Sequence, residues 1–347
     1  NGFSGTASNV KIKSTDHYTE LGYQENILST VTVAARNPGT WANDLRVSII
    51  DAKADQILEG LSSTVFSNAA VGMGVTQAVP SGTVISGAAG TSLLDGHFKG
   101  IITSKGSSTL DVKFLSHVSA AGTETAKDFN SVFKFSSTGS VAIHTAGQAV
   151  SYGSTSYTSS KNWFDEQTFV TTTATKGGTA TETLVKWNTI ADKPGTSEYA
   201  AARGGRFDEV HVVVIDAKGT VTGNAGTILE KHLSLSKAKD AEFSVGSPSY
   251  WRKYLYNNSD NIFGLSGSII GVTTTGYTSA FTLESDGGWD QDAEGIIFNS
   301  SGKQNLTLAG GLNYGGKTDL TTTGALDSGL DDLIGGYGQF ENDTTVD

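Results

Sequence analysis

Two runs of apolar residues stand out in the pattern of hydrophobic and polar positions along the chain. In the first, residues 45–50 alternate between two faces and predict a strand that ends at Asp51. In the second, residues 210–215 are apolar at nearly every position and end at Asp216, which is typical of a strand covered on both faces. Because each run ends in Asp-Ala-Lys, we expect both strands to belong to one sheet, with the residues between them looped out. Two buried strands that end alike by chance are the alternative.

The segment before the first strand carries a turn signal. A β-prone run at residues 27–34 is followed by Pro38 and Gly39, which suit the second and third positions of a type II turn. Proline presets φ there and glycine accepts a positive φ. The turn and polar residues that we single out as a structural motif are Asn37, Pro38, Gly39, Trp41, Asn43, Asp44, Asp51 and Asp216.

Three segments predict short helices. Thr227 and Glu230 have the spacing of a capping box, in which the threonine hydroxyl bonds the N3 amide and the glutamate reaches back. Residues 247–248 (Ser-Pro) suit the start of a second helix, and the aromatic and apolar residues at 250–255 repeat at helical spacing, which predicts a core face rather than a binding surface. The apolar residues between 326 and 334 predict a third, amphipathic helix.

Composition and periodicity divide the chain into three parts. Residues 1–53 start a core sheet domain, residues 54–200 form an inserted β-rich outer domain, and residues 201–347 return to the core sheet domain with its helices. The predicted fold class is α+β or mixed: a multidomain, sheet-based core with two or three short helices and an inserted Ser/Thr/Gly-rich β domain. Short alternating runs predict further strands at residues 83–85, 98–103, 110–115, 132–135, 168–172 and 280–283.

Charge and composition exclude several classes of partner. The 347 residues carry 35 acidic and 24 basic side chains, a net charge of −11, which repels nucleic acid and anionic lipid. No apolar run reaches the roughly 20 residues of a membrane-spanning helix, so no membrane insertion is expected. The absence of cysteine excludes disulfides and thiolate sites, and no cofactor is predicted. Because neither a signal peptide nor an initiator methionine is present, we expect this chain to be a piece of a longer one.

The sequence contains one weak candidate for a metal site and no catalytic motif. Paired histidines, a Gly-x-Ser-x-Gly elbow and a phosphate-binding loop are all missing, so neither catalytic residues nor enzymatic activity are predicted. Asp290, Asp292 and Glu294 alternate before a glycine as in the first half of a calcium loop. Because Ser301 stands where such a loop has a bidentate glutamate, a solvated acidic loop is favoured. Trp289 beside these carboxylates is the only hint of a polysaccharide hydrolase, which is one alternative class.

Four stretches resemble tail sheath proteins of contractile-tailed bacteriophages (myophages). Residues 35–47 resemble the Asn-Pro-Gly-x-Trp-(Ala/Gly)-Asn-(Asp/Asn)-Leu-x-Val signature of that family. Residues 207–216, followed by 228–241, are similar to its next block. Residues 249–259 resemble the family's helix that enters Asn-x-Ser, and residues 306–311 resemble its Leu-x-Gly-Gly segment. The blocks occur in the family's order, whereas the inserted domain matches no part that we can place.

The resemblance implies a structural protein of the viral contractile tail sheath. Such subunits polymerise with copies of themselves, as a helical assembly or six-fold ring homo-oligomer, around the tail tube protein. They also contact the baseplate and the tail terminator, and contraction drives the tube through the host envelope for host cell entry and genome ejection. The implied location is the virion tail, after synthesis in the bacterial host cytoplasm. We expect the family's N-terminal arm and its C-terminal tube-facing domain to be absent from this chain, since no segment resembles either of them.

A function of a different class remains open. The Ser/Thr/Gly-rich composition also suits an extracellular β-rich surface or adhesion protein. That alternative requires a secretory leader upstream of the chain, whereas the sheath hypothesis requires the family's N-terminal arm there.

Overall fold

The protein has a mixed, sheet-dominated fold of the α+β kind. The computed structural model describes residues 3–5, 12, 14–23, 31–87, 90–144, 151–176, 179–265, 280–283, 289–292, 296–298, 300 and 302–311. The α-helices of this part of the chain are α1 (Thr15–Glu20), α2 (Ser63–Asn68), α3 (Glu198–Ala201) and α4 (Trp251–Asn258). Short 3-10 helices occupy Thr40–Asp44, Phe164–Glu166 and Trp187–Thr189. None of these described helices has the length and apolar character required to cross a membrane.

Strands account for most of the regular structure. The first thirteen are β1 (Phe3–Gly5), β2 (Val31–Ala35), β3 (Leu45–Asp51), β4 (Gln56–Glu59), β5 (Gly74–Ala78), β6 (Val84–Gly87), β7 (Gly90–Leu93), β8 (His97–Lys105), β9 (Thr109–Val118), β10 (Glu124–Ala126), β11 (Ser140–His144), β12 (Ser151–Ser156) and β13 (Ser159–Asn162). The others are β14 (Thr168–Lys176), β15 (Thr179–Lys186), β16 (Gly205–Arg206), β17 (Glu209–Asp216), β18 (Thr227–Ser236), β19 (Glu242–Ser244), β20 (Ser247–Pro248), β21 (Ile262–Gly264), β22 (Ala280–Leu283), β23 (Trp289–Asp292), β24 (Ile296–Ile297) and β25 (Lys303–Thr307).

The two apolar strands pair in one sheet, which confirms the prediction made from their sequences. β3 and β17 are antiparallel neighbours, with Asp51 opposite Val210 and Leu45 opposite Asp216. β18 and β25 complete a four-stranded antiparallel sheet in the order β18-β17-β3-β25, which we call the core sheet. The chain between β3 and β17 therefore leaves this sheet and returns to it at one place. The division into three domains stays a prediction.

Both faces of the core sheet are covered. Because side chains alternate along a strand, Leu45, Val47 and Ile49 lie on one face with the apolar side of α4. Val213 and Ile215 lie on the opposite face in a cluster with aromatic rings of the 3-10 helices and of β14. Complete burial of such a side chain stabilises the fold by about 1.5–3 kcal/mol. The double-sided apolar pattern of β17 is thus explained by cover on both faces.

Residues 56–162 form a second antiparallel sheet, which we call the inserted sheet. Its strand order is β12-β11-β5-β8-β9-β4-β13, with β10 beside β9. The predicted strands at 83–85, 98–103 and 110–115 are confirmed as β6, β8 and β9, and those at 168–172 and 280–283 as β14 and β22.

The predicted strand at residues 132–135 is wrong. The amide side chain of Gln56 takes the place of a partner strand there, because its Nε2 donates to the Phe135 carbonyl at 2.9 Å and its Oε1 accepts from the Phe135 amide at 2.7 Å. Gln77 holds the next residue, Ser136, in the same way, with both distances at 2.7 Å. Side-chain amides thus satisfy the backbone without a ladder.

Buried polar contacts join the inserted sheet to the core sheet. The Lys113 ammonium, on β9, donates to the carbonyl of Ala52, which directly follows β3. Burial lowers the pKa of Lys113 to about 7. Asp55 accepts a hydrogen bond from the Phe114 amide at 2.7 Å and forms an ion pair with Lys193 of the returning segment. The outgoing and returning chain segments are therefore both tied to β9.

Helix α4 confirms the predicted core stripe and corrects its start. The side chains at 250–255 that were predicted to face the core do contact the core-sheet cluster. The helix begins at Trp251, because Ser247–Pro248 pairs with β19 instead, and it ends at Asn258. Gly264 lies under the Trp251 ring so closely that an added Cβ would come within 2.3 Å of Cζ3. The helix predicted near residues 326–334 lies outside the described residues.

Candidate functional site

The segment before β3 folds as a bend followed by one 3-10 turn. Gly39 has a φ of 144° and a ψ of 157°, so the type II turn predicted at Pro38 and Gly39 is wrong, since that turn needs a ψ of about 0° at the glycine. The positive φ still favours glycine at this position. Trp41 Nε1 donates to the Pro38 carbonyl at 3.3 Å, and Asn37 is exposed.

Asn43 connects this segment to the far end of the described chain. Its Nδ2 donates to the Gly311 carbonyl at 2.9 Å, and its Oδ1 accepts from the Gly311 amide at 2.7 Å. The Leu308 amide donates to the Leu45 carbonyl at 3.1 Å and extends the contact between β25 and β3. An asparagine side chain that pairs with a backbone in this way acts as one residue of a strand.

Two aspartates hold the loop between β17 and β18. Asp216 Oδ2 accepts from the Thr222 amide at 2.7 Å and Oδ1 from the Gly219 amide at 2.9 Å. Burial raises the pKa of Asp216, but these donors outweigh burial and lower it overall. Asp44 lies at the same end of the core sheet, where Lys218 Nζ approaches Oδ1 at 2.6 Å and lowers the pKa of the Asp44 carboxyl.

Asp51 lies at the opposite end of the core sheet in a buried ion pair. Lys237 Nζ is 2.9 Å from Asp51 Oδ2, and both side chains are fully buried. Asp51 Oδ1 accepts from the Gly302 amide at 2.8 Å, which joins the start of β25 to the end of β3. Removing both charges from water costs free energy that offsets much of their attraction. The clearest effect of this ion pair is therefore to determine that the segment after β18 and the start of β25 contact the end of β3.

Asp208 has a similar role just before β17. Its carboxylate accepts from the Ser197 amide at 2.8 Å, from the Ser197 hydroxyl at 2.7 Å and from the Ser236 hydroxyl. The returning segment, β17 and β18 are therefore held together at one carboxylate. Sequence analysis had not assigned this role to Asp208, or any role to Lys237.

The capping-box prediction at Thr227 and Glu230 is wrong, because both residues lie in strand β18. The strand forms because residues 227–236 pair with β17 along its length, and this ladder replaces local helical hydrogen bonds. Thr227 instead donates its hydroxyl to the Asn224 carbonyl at 2.8 Å and closes the loop before β18.

Glu230 binds the turn that follows α4. Its Oε1 accepts from the Asp260 amide at 2.8 Å, from the Asn261 amide at 3.0 Å and from Asn261 Nδ2 at 2.7 Å. Its Oε2 accepts from the Ser259 hydroxyl at 2.6 Å and from His232 Nε2 at 2.8 Å. Burial alone would raise the pKa of Glu230, but these donors outweigh it and hold the pKa at about 2.

Arg36 binds the carboxyl end of the same helix. Its guanidinium donates to the carbonyls of Tyr256 at 2.8 Å and Ser259 at 2.6 Å, and it stacks on Phe263 with 4.3 Å from Cζ to the ring centroid. A cation at a helix C-terminus also complements the helix dipole. Sequence analysis missed Arg36, although it is the only charged residue between 31 and 43 and could have been noticed for that reason.

Only the first part of the weak metal candidate lies in the described residues. Asp290 and Asp292 lie in β23, where they pair opposite Thr282 and Ala280, so the backbone there is extended instead of forming a tight turn. The side chains of these two residues, and Glu294 altogether, lie outside the described part. Among the residues that the structure does describe, no cluster of three His, Asp or Glu side chains could hold a metal ion.

Asn43, Asp44, Asp216 and Thr227 thus lie at one end of the core sheet and Asp51 at the other. The motif residues whose hydrogen bonds are described here bind backbone groups and neighbouring side chains. Carboxylates that are held in this way fix loops and strand ends. The chain matches no protein-family model, no curated protein and no solved structure.

Proposed function

We propose that this chain is a structural subunit of a contractile phage tail sheath, which acts through contacts with copies of itself and with a tail tube. The observation that carries the proposal is that the stretches resembling sheath proteins meet in space. The segment 35–47 leads into β3, residues 207–216 include β17, and residues 306–311 pair through Asn43. Stretches that are remote in sequence thereby build one rigid unit, the core sheet.

Projecting hairpins support a role in assembly. The β6–β7 hairpin places Val84 opposite Leu93, and both side chains are exposed. On the β14–β15 hairpin, residues 179–184 are exposed throughout, including the apolar Leu184. A lone two-stranded hairpin is marginally stable in water, and exposed apolar groups on it favour contact with another protein. A subunit inside a lattice gains such cover from its neighbours.

The proposed mechanism needs no bond-breaking chemistry. A sheath is assembled in an extended lattice, and a trigger lets the subunits move to a shorter and wider packing of lower free energy. The energy is stored as the difference between the two packings, so subunits must move as rigid bodies. The core sheet, clamped at both ends by buried carboxylates, suits such movement.

Electron microscopy of the purified full-length protein tests this proposal. We expect rings or tubes of uniform diameter once concentration or salt is raised, because lattice contacts are heterologous and repeat. A full-length protein that stays monomeric under every condition would contradict the proposal. A cell-surface location on intact cells, seen with an antibody against the chain, would instead favour the adhesion alternative, which rests on composition.

A further inference from the structure

The β19–β20 hairpin carries an apolar tip that its own chain leaves uncovered. Residues 242–247 are all exposed; Val245 at the turn is 100% exposed and Phe243 is 53% exposed. The hairpin is held by contacts of its own chain, because Ser244 pairs with Ser247 and the ring centroids of Phe243 and of Tyr254 on α4 are 5.9 Å apart. A preorganised apolar tip loses little conformational freedom on binding.

A cavity of about 280 Å³ lies beside α4 on the same protein. Tyrosines 18, 250 and 256 supply aromatic walls, and Lys239, Lys253 and Asn257 line it with them. Arg252 is also part of the lining and donates its Nε to the Gly264 carbonyl at 3.3 Å. The cavity is therefore aromatic and positively charged, in a chain whose net charge is −11.

The charges of the tip and of the cavity are complementary. Glu242 begins β19 and is exposed beside Phe243, whereas the cavity is lined by lysines 239 and 253, which are also exposed. The tip presents one carboxylate and two apolar side chains. The cavity offers ammonium groups, which would pair with the carboxylate, and tyrosine rings, which would pack against the apolar side chains. Tyrosine and arginine are also the residue types in which interface hot spots are enriched.

We propose that the β19–β20 tip of one copy inserts into this cavity of a second copy. In this contact the tip and the cavity of one copy bind two different neighbours, head to tail, which leaves both ends of a growing assembly open; a reciprocal exchange between two copies would instead close a dimer. Val245 and Phe243 would be buried against the tyrosines, and Glu242 would meet the lysines. This inference rests on the proposed function, because it names a contact by which sheath subunits would associate.

Site-specific cross-linking tests the contact, and the natural absence of cysteine makes the result unambiguous. The double variant Val245→Cys/Asn257→Cys is oxidised mildly under assembly conditions and run on a denaturing gel without reductant. We expect a ladder of covalent multimers, because a disulfide forms only when the two Cα atoms come within about 7 Å. The control Val71→Cys/Asn257→Cys uses a valine that is also exposed (62%) but lies in the inserted sheet region.

The outcomes separate the two proposals. The control should give roughly tenfold less product, since docking raises the effective concentration of one cysteine near the other. If wild-type chains form tubes but the double variant gives no more multimer than the control, the tip contact is wrong and the sheath proposal stands. Products that stop at two copies, or only a disulfide within one chain, also overturn the head-to-tail contact. A wild-type chain that never associates overturns both.

A charge exchange provides a second test. Lys253→Glu should weaken association, and adding Glu242→Lys in the same chain should restore it, because the pair is then reversed. Association that is unchanged in both the single and the double variant contradicts the proposal. Sedimentation velocity measures the outcome, and circular dichroism checks that each variant folds.

Discussion

Replacing Glu230 by glutamine tests the reasoning about the turn after α4. The substitution keeps the size of the side chain but turns one accepting oxygen into an NH₂ group. That group cannot accept hydrogen bonds from the Ser259 hydroxyl and His232, which donate at 2.6 and 2.8 Å. Because the Glu230 side chain is only 11% exposed, water cannot fully replace the lost partners. We therefore expect the variant to be less stable at neutral pH.

The magnitude follows from the pKa of Glu230. A fall from the ordinary 4.5 to about 2 corresponds to about 3 kcal/mol at 1.36 kcal/mol per pKa unit. Since the folded pKa lies below the unfolded one, this stabilisation is fully present above pH 4.5 and is lost as the pH falls towards 2. Glu230→Gln should therefore cost about 3 kcal/mol at pH 7 and very little near pH 2.

Urea denaturation at a series of pH values measures this difference. Hydrogen exchange of residues 251–261 provides a local readout of the same turn. Glu182→Gln, at an exposed position of β15, is the matched control and should leave the free energy of unfolding unchanged. A Glu230→Gln penalty that has the same size at pH 7 and pH 3 would refute the assignment of the stabilisation to the ionised carboxylate.

Three further predictions concern buried groups. Lys237→Met should lower the free energy of unfolding by about 3–5 kcal/mol, because it leaves the Asp51 charge buried without its partner. Gly264→Ala should lower the free energy of unfolding by about 1–3 kcal/mol or more, because the new methyl group overlaps the Trp251 ring. Thermal denaturation measures the loss of stability in both variants. Because burial lowers the pKa of both Lys113 and Lys193 to about 7, wild-type stability should rise with pH between 7 and 10.5, and Lys113→Met should lower that slope by at most about 1.4 kcal/mol per pH unit.

Each of these predictions has a separate control or contrary result. Adding Asp51→Leu to Lys237→Met should recover much of the loss, since a neutral apolar pair replaces a broken ion pair. Gly195→Ala is the control for the glycine substitution, because its new methyl group would lie 3.6 Å from Glu209 Oε2, an ordinary contact. For Lys113, unfolding free energies of wild type and variant that run parallel between pH 7 and 10.5 would show that the ammonium is not desolvated on folding.

The sequence predicted the elements whose pattern is set by burial. β3 and β17 were predicted to belong to one sheet, because both are apolar runs that end alike, and the core face of α4 was predicted from its spacing. The errors occurred where contacts with residues remote in the sequence determine the secondary structure. Residues Thr227 and Glu230 satisfy a local capping rule, but pairing with β17 makes this segment a strand. Residues 132–135 have the alternation of a strand, but the Gln56 side chain, and not a neighbouring strand, binds their backbone at Phe135.

The candidate site was predicted in part for the same reason. Asp51 and Asp216 were singled out because they end the strands, but nothing in the local sequence shows that Lys237 or Gly302 reaches Asp51. The contacts of Glu230 and Arg36 with the turn after α4 likewise depend on the fold. Residue type and spacing identified the aspartates that hold strand ends. Their hydrogen-bond and ion-pair partners could not be identified in this way, because they are close only in the folded protein.

The adjacency of β3 and β17 has a consequence during synthesis. Asp51 is opposite Val210 in the finished sheet, so β3 leaves the ribosome long before its central neighbour exists. At about 5–20 residues per second, the delay is roughly 10–30 s. Throughout that time the nascent chain exposes an apolar strand with two unpaired edges, while the inserted sheet can already close. A cell that makes many copies of this chain must therefore shield β3 on each of them until translation passes residue 216.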